Sequence, residues 1–275
     1  MHVVIQFRMP IKFQDTEEKT TGKNLYSYQK GAIDKIFERF ENSPNDYHLL
    51  YQLPTGGGKT VIFSEIVRQY LKHHKSRVLV LTHRIELCKQ TSNMLTEFGV
   101  VNKVINSKAK LDDQRDYSCF VAMVETLNNR LTDNVLDISD IGLVIIDEAH
   151  YNSFTKLFKF FHKSFILGVT ATPLSSNIEL PMTDNYDELI VGESIESLIQ
   201  NNFLSRAETF VYNVGLTSLV VGANGDYTVK SSEDLYTDHD MLGKLVGAYE
   251  EHSKGKKTLI FNNGINTSLY VYDIF

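Results

Sequence analysis

Apolar positions along this chain fall into short unbroken runs separated by stretches with helical spacing. Tyr47–Leu53 is one run, and it ends in Pro54-Thr-Gly-Gly-Gly. Val61, Ile62, Ile66, Val67 and Tyr70 then recur at intervals of three and four, the signature of one helix face. Arg77–Leu81 is a second run, followed by a helical pattern through Ile85, Leu87 and Leu95. Further runs lie at Val101–Ile105, Cys119–Val124, Ile141–Ile146 and Phe165–Thr170. None alternates polar with apolar, so each predicted strand has both faces buried, as in a parallel sheet covered by helices. The expected class is α/β.

The texture changes after Pro173. Residues Leu174–Asp187 carry no clear period, and Ser194–Gln200 reads as a short helix. From about Ser205 the pattern restarts, with strands expected at Phe210–Val214 and Leu219–Val221 around a turn at Gly222-Ala-Asn-Gly-Asp226. A helix over Asp240–His252, a buried strand over Thr258–Phe261 and a helix from Ile265 follow. A boundary near residues 200–206 divides the chain into 1–204 and 205–275. The second part is shorter than an ordinary domain and stops inside the apolar pattern of Leu269, Val271, Tyr272 and Phe275, so it reads as incomplete. Ile260, Phe261, Leu269 and Phe275 are then expected to be exposed, disordered or covered by a partner chain.

Composition narrows the class. Of 275 residues, 42% are hydrophobic and 23% charged, enough apolar side chains for a sizeable core. No run of about 18 apolar residues occurs, and the N-terminal Met1-His-Val-Val-Ile-Gln-Phe-Arg-Met lacks the basic start and apolar stretch of a signal peptide. Cys88 and Cys119 are the only cysteines, which makes no disulfide framework and favours a reducing, cytoplasmic setting. The net charge of −6 argues against coating nucleic acid by bulk charge, so any polyanion contact is local.

Candidate chemistry lies at the strand ends. In Pro54-Thr55-Gly56-Gly57-Gly58-Lys59-Thr60, consecutive glycines let backbone N–H groups turn inward around phosphate oxygens, and the following helix adds its positive end. Lys59 can reach the outer phosphates, and the Thr60 hydroxyl can hold Mg²⁺. The general phosphate-loop pattern has glycine where Leu53 stands. Val144-Ile-Ile-Asp147-Glu148-Ala-His150 ends an apolar strand in two acids, at the sheet edge where open α/β folds bind ligands. Asp147 suits Mg²⁺, and Glu148 suits deprotonation of an attacking water. Together the two elements point to hydrolysis of a nucleoside triphosphate. Lys72-His-His-Lys-Ser-Arg77 reads as a solvated helix end, and Asp112-Asp113 as a loop pair.

In order and spacing these elements resemble superfamily 2 helicases and translocases whose metal motif reads Asp-Glu-Ala-His, in the DNA-repair and phage-like branch. Leu53 before the glycines is the form that superfamily uses. The resemblance implies a RecA-like P-loop NTPase domain, the start of a second one, ATP and Mg²⁺ as cofactors, and nucleic acid as partner, DNA favoured over RNA, acting in a cytoplasm or, if phage-encoded, in the host's. Leu25-Tyr-Ser-Tyr-Gln29 is similar to the adenine-side motif, with Gln29 reading the base, although arginine often stands where Tyr26 is. Leu79-Val-Leu-Thr82-His83-Arg84 is similar to the first nucleic-acid motif, and Thr126 falls at a further phosphate-contacting turn, where Glu125 replaces a commoner glutamine. Gly168-Val-Thr170-Ala-Thr172-Pro173 is similar to the motif linking hydrolysis to strand contact, with Thr170 and Thr172 as hydroxyl relays. His150 couples the nucleotide site to the second domain in that family. Its last two motifs, with the arginines that reach the γ-phosphate, would fall beyond residue 275, so the chain as it stands is expected to bind nucleotide and hydrolyse it weakly.

Three alternatives remain at this point: a motor subunit of a restriction or DNA-processing complex, a non-hydrolysing nucleic-acid-binding fragment, and a metabolic P-loop kinase. The last is least favoured, because Asp147-Glu148 and Thr170-Ala-Thr172 have no role there.

Overall fold

The computed structural model describes residues 3–5, 24–44, 46–106, 116–132, 138–175, 177, 179–212, 215–223 and 225–275. They form two compact units, Gln14–Leu204 and a second made of Ser205–Phe275 with the N-terminal segment Met1–Phe13. Strand β1 (Val3–Ile5) belongs to the second unit.

The larger unit is a parallel sheet between helices. Its elements in chain order are α1 (Ser27–Asn42), β2 (His48–Gln52), α2 (Lys59–His73), β3 (Arg77–Thr82), α3 (Ile85–Glu97), β4 (Asn102–Ile105), β5 (Cys119–Met123) and α4 (Val124–Thr132), then β6 (Ile141–Asp147), α5 (Thr155–Phe158), β7 (Phe165–Thr170), β8 (Glu188–Val191) and α6 (Ile195–Gln200). The strand order is β4-β5-β3-β6-β7-β2-β8, and every pairing is parallel. The α/β reading of the sequence is therefore present in the structure.

Successive residues of each strand feed opposite cores, as the period of two demands. Leu49 and Tyr51, Val78 and Val80, Leu143 and Ile145 pack on the face covered by α1, α2 and α3. Leu50, Leu79 and Leu81, Val144 and Ile146 pack on the other face with Leu127, Phe154 and Leu157. Burial on both faces explains the unbroken apolar runs. Cys88 and Cys119 are free thiols inside these cores.

Strand β8 was not anticipated from the sequence. It is four residues long, begins with Glu188, and leaves Leu189 and Val191 exposed, so it carries no continuous apolar run. Its edge is fixed instead by ionic contacts: Arg39 Nε donates to both Glu188 carboxylate oxygens at 2.9 Å, and the Tyr47 hydroxyl donates to one of them at 2.9 Å.

The second unit contains β1 paired antiparallel with β9 (Glu208–Phe210), and helices α7 (Val229–Tyr236), α8 (His239–His252) and α9 (Ile265–Ile274). Asp238 caps α8 by accepting from the Asp240 N–H at 2.9 Å. Three strand expectations are corrected here. The strand expected at Phe210–Val214 ends at Phe210, with Asn213 and Val214 outside the described residues. Leu219–Val221 makes only an isolated bridge, Val221 to Tyr227. Thr258–Phe261 is not a strand: among the described residues no neighbour pairs with it, and an apolar run without a ladder has nothing to hold it extended. Phe261 is 82% exposed, Leu269 58% and Phe275 51%, while Ile260 is half-buried. The Asp112-Asp113 pair lies outside the described residues.

Two glycines of the larger unit give opposite expectations for the same substitution. A Cβ on Gly168, in β7, would lie 2.6 Å from the Tyr186 ring, which is itself buried. A Cβ on Gly31, exposed within α1, would meet nothing within 4 Å. In urea unfolding, Gly168→Ala is expected to destabilise the protein by about 1–3 kcal/mol, and Gly31→Ala to stabilise it by about 0.5–1 kcal/mol.

Candidate nucleotide and nucleic-acid site

The glycine loop leaves the carboxyl end of β2 and is tied to the neighbouring strand at once. The Leu53 N–H donates to the Thr170 carbonyl at 2.9 Å, and the Gly57 N–H donates to the Pro54 carbonyl at 3.0 Å, closing a turn. Gly56 (φ 84°) and Gly58 (φ 86°) are left-handed, a conformation other residues adopt at a cost. Gly57 is required by space, since a Cβ there would sit 2.8 Å from the Leu53 side chain. Leu53 thus fills the ground beneath the loop. Gly58 caps α2 without a side chain, so that helix end presents backbone N–H groups and the positive pole of a 15-residue helix. Thr55 and Gly56 are exposed and Thr60 is half-buried. Lys59 is 9% exposed, and its ammonium donates to the Leu53 carbonyl at 3.3 Å.

The acids stand two strands away, with β7 between. Asp147 ends β6 and is buried; one carboxylate oxygen accepts from the Glu148 N–H at 3.0 Å. Burial, then the neighbouring Glu148 charge, pushes the Asp147 carboxyl up to about 6, while Lys59 pulls it the other way. The Lys59 charge is therefore felt at this carboxyl across the sheet edge, so the loop and the acids lie within electrostatic reach of each other. Glu148 adopts φ 53°, left-handed for a residue with a side chain, a strain of about 1–3 kcal/mol that the turn sustains. The next residue is pinned by the Ala149 N–H donating to the Val169 carbonyl at 3.0 Å.

This strained turn brings three predicted residues together. His150 Nδ1 lies 3.0 Å from Thr170 Oγ1 and 3.4 Å from Glu148 Oε2. Thr170 is fully buried at the end of β7; its hydroxyl accepts from the Thr172 N–H at 3.2 Å and lies 3.0 Å from the Thr172 carbonyl. Thr172 thus reaches Thr170 through its backbone, and its own side chain is exposed.

On the other side of the loop, Gln29 is buried at the start of α1. Its Oε1 accepts from the Tyr26 N–H at 3.0 Å, and its Nε2 would touch a Cβ on Gly58 at 2.6 Å. The Tyr28 hydroxyl donates to the Gly57 carbonyl at 2.7 Å. Phe203, which the sequence did not single out, lies with its ring centroid 4.6 Å from Tyr26 and 4.9 Å from Tyr28. An aromatic in a polar stretch so far downstream gives no local signal of that contact.

The residues expected to meet nucleic acid divide. Thr82 is fully buried, its hydroxyl donating to the Arg84 carbonyl at 3.2 Å and lying 2.9 Å from Cys88 Sγ, so it braces the turn and offers no hydroxyl outward. His83 is half-buried, and burial followed by the Arg84 charge lowers its tendency to protonate. Arg84 is exposed at the N-cap of α3. Thr126 is half-buried in the first turn of α4, beside Glu125, whose carboxylate accepts from Lys156 Nζ at 2.5 Å.

The donor set suits a hard cation. A hydroxyl at Thr60 and carboxylates at Asp147 and Glu148 are oxygen ligands of the kind Mg²⁺ takes, and the proton affinity of Asp147 marks a buried carboxylate short of positive charge. No group of three or more metal-binding side chains stands together among the described residues, so such an ion would draw its other ligands from nucleotide and water. No helix among the described residues is long and apolar enough to cross a membrane.

Comparison with known proteins agrees with this geometry. The family described as Type III restriction enzyme, res subunit, matches residues 22–175, a stretch that holds Gln29, the glycine loop, Asp147–His150 and Thr170–Thr172. A 51.5 kDa protein of a Lactococcus phage (isolate 7-9) is 28% identical over 223 residues, covering 80% of this chain and 44% of that protein. The Type I restriction enzyme EcoAI endonuclease subunit of Escherichia coli is 27% identical over 244 residues, covering 84% of this chain and 28% of that protein. The chain thus spans less than half the length of either curated relative. Among solved structures, the Pyrococcus furiosus Hef helicase domain shares the fold, with a TM-score of 0.50 at 22% identity over 62% of this chain and 38% of that one. With the matched stretch covering more than half its residues, the chain belongs to the Type III restriction enzyme res-subunit family, among the superfamily 2 helicase-like ATPases.

Proposed function

We propose that this chain is the ATP-binding part of a motor that couples hydrolysis to movement along nucleic acid, DNA before RNA. The observation that carries the reading is the glycine loop at the end of β2, with the buried Lys59 folded onto the Leu53 carbonyl, on the same sheet edge as the buried Asp147 carboxyl that feels the Lys59 charge. The N–H groups of Gly56–Thr60 would receive the phosphates, with Lys59 on the outer ones. Thr60 and Asp147 would hold Mg²⁺, which supplies charge neutralisation and orientation of the phosphates when bound. Glu148 would take a proton from the attacking water, and its carboxylate already lies 3.4 Å from the His150 ring. His150, Thr170 and Thr172 would relay the state of that centre, and Gln29 would read the base. Thr126 and Arg84 would contact the nucleic-acid backbone, an expectation in which Arg84 supplies the charge. Residues 205–275 would begin the second RecA-like domain of the motor. Likeness to the EcoAI endonuclease subunit favours a second reading of the same chemistry, a motor serving a restriction complex.

Two substitutions separate binding from turnover. Lys59→Ala is expected to weaken Mg-nucleotide binding by at least about tenfold in calorimetry, since truncating one partner of a buried charge pair costs about 2–5 kcal/mol. Unchanged affinity would remove the assignment. Glu148→Gln should hold affinity within about threefold while lowering the hydrolysis rate by about 10²–10⁴.

The raised Asp147 carboxyl gives a pH dependence of definite sign. Its folded value of about 6 lies above the ordinary 3.8, so the ionised group opposes folding as pH rises from 3.8 to 6, and that penalty is constant above and absent below. Asp147→Asn should therefore raise the stability of the unliganded protein above pH 6 by up to about 3 kcal/mol, the gain vanishing near pH 4. A cation competes with the proton, so wild-type Mg-nucleotide affinity should fall below pH 6, by up to about tenfold per unit, a dependence the variant loses.

A further inference from the structure

Three rings form a continuous row of tilted contacts between the end of β3 and the end of β6. The His83 and Tyr151 centroids are 4.3 Å apart, with planes inclined by 33°. The Tyr151 and His150 centroids are 4.2 Å apart, inclined by 37°. One end of the row adjoins Arg84, exposed at the start of α3. The other end reaches the hydrolytic centre, because His150 Nδ1 contacts both Thr170 Oγ1 and Glu148 Oε2.

His83 meets this row through its tilted ring contact with Tyr151. Its Nδ1 is buried without a hydrogen-bond partner among the described residues. A ring in contact with another ring, with a buried nitrogen unpaired, has no hydrogen bond at that atom to lose when it shifts. It gains one if a shift brings a donor or acceptor within reach. Tyr151 is anchored differently: its N–H donates to the Glu148 carbonyl at 3.2 Å, and its side chain packs on the core under α4 and α5. Any displacement of the turn carrying Glu148 therefore moves the Tyr151 backbone, and with it the ring on which His83 rests.

We propose that Tyr151 is a positioning residue that couples the nucleic-acid-facing turn at His83–Arg84 to the Glu148–His150 turn, by transmitting ring position from His83 to His150. The inference rests on the motor reading above and names a part of it that neither the glycine loop nor the acidic turn supplies. Coupling of this kind is reciprocal: nucleotide changes DNA affinity by the same factor by which DNA changes nucleotide affinity.

The test measures that factor directly and needs no hydrolysis. Binding of a fluorescein-labelled DNA duplex is titrated with and without a saturating non-hydrolysable ATP analogue and Mg²⁺, in wild type, Tyr151→Leu and Tyr151→Phe, each first shown to melt like wild type. Wild type is expected to change DNA affinity by at least about fivefold between the two conditions. Tyr151→Leu should reduce the change to less than about twofold, with nucleotide affinity alone unaltered, and Tyr151→Phe should restore it, since the ring and not the hydroxyl makes both contacts. Retained coupling in Tyr151→Leu, or a Tyr151→Phe variant as uncoupled as Tyr151→Leu, overturns the proposal while leaving the nucleotide site intact. A wild-type protein that binds no nucleotide overturns both. Should Tyr151→Leu not fold, the imidazole resonances of wild type decide: nucleotide addition must shift His83 as well as His150, and a stationary His83 signal overturns the inference.

Discussion

The interaction on which the candidate site depends is the pull of the Lys59 charge on the buried acid at the end of β6. Lys59 sits at the start of α2, folded over the loop onto the Leu53 carbonyl, and its charge is felt by Asp147 two strands away. The acids outnumber it. Asp147 and Glu148 stand at one sheet edge, where Lys59 eases the Asp147 ionisation, and α2 starts at Lys59 with no side-chain cap. The acids are short of positive charge, and an uncapped helix start favours an anion. A nucleoside triphosphate with its metal, the ligand proposed above, would answer both.

The rest of the larger unit serves to keep these groups in register. Strand β7 lies between β6 and β2, so its last residue can touch both turns: the Thr170 carbonyl receives the Leu53 N–H, and the Thr170 hydroxyl meets His150. Burial of both sheet faces fixes that order, since no strand of the central set can slip by one residue without turning a core side chain into the wrong layer. The strain at Glu148 is sustained by the same packing. Its positive φ is flanked by Asp147, held in β6, and by Ala149, bonded to the carbonyl of Val169.

Much of this was legible in the residues. A glycine loop must be spelled in glycine because φ and close approach admit little else, as Gly56, Gly57 and Gly58 each show for a different reason. The acidic strand end was legible because two carboxylates after Val144-Ile-Ile have no business in a core. What escaped reading depends on distant partners. Phe203 meets Tyr26 only through the fold, Tyr151 gains its two histidine neighbours only there, and Thr82, expected to meet nucleic acid, has its hydroxyl turned inward. Strands fail for the same reason in both directions: β8 exists because β2 accepts it, and Thr258–Phe261, apolar enough to be a strand, has no such neighbour among the described residues.

The central claim is that amide loop, ammonium and acidic turn bind one ligand. A crystal structure with ADP-beryllium fluoride and Mn²⁺ in place of Mg²⁺ tests it most directly, because the metal is located by its anomalous signal. The account predicts phosphate oxygens on the N–H groups of Gly56–Thr60 and a metal peak shared by the Thr60 hydroxyl and the Asp147 carboxylate. A metal peak remote from Asp147, or phosphates seated away from the loop, would contradict it.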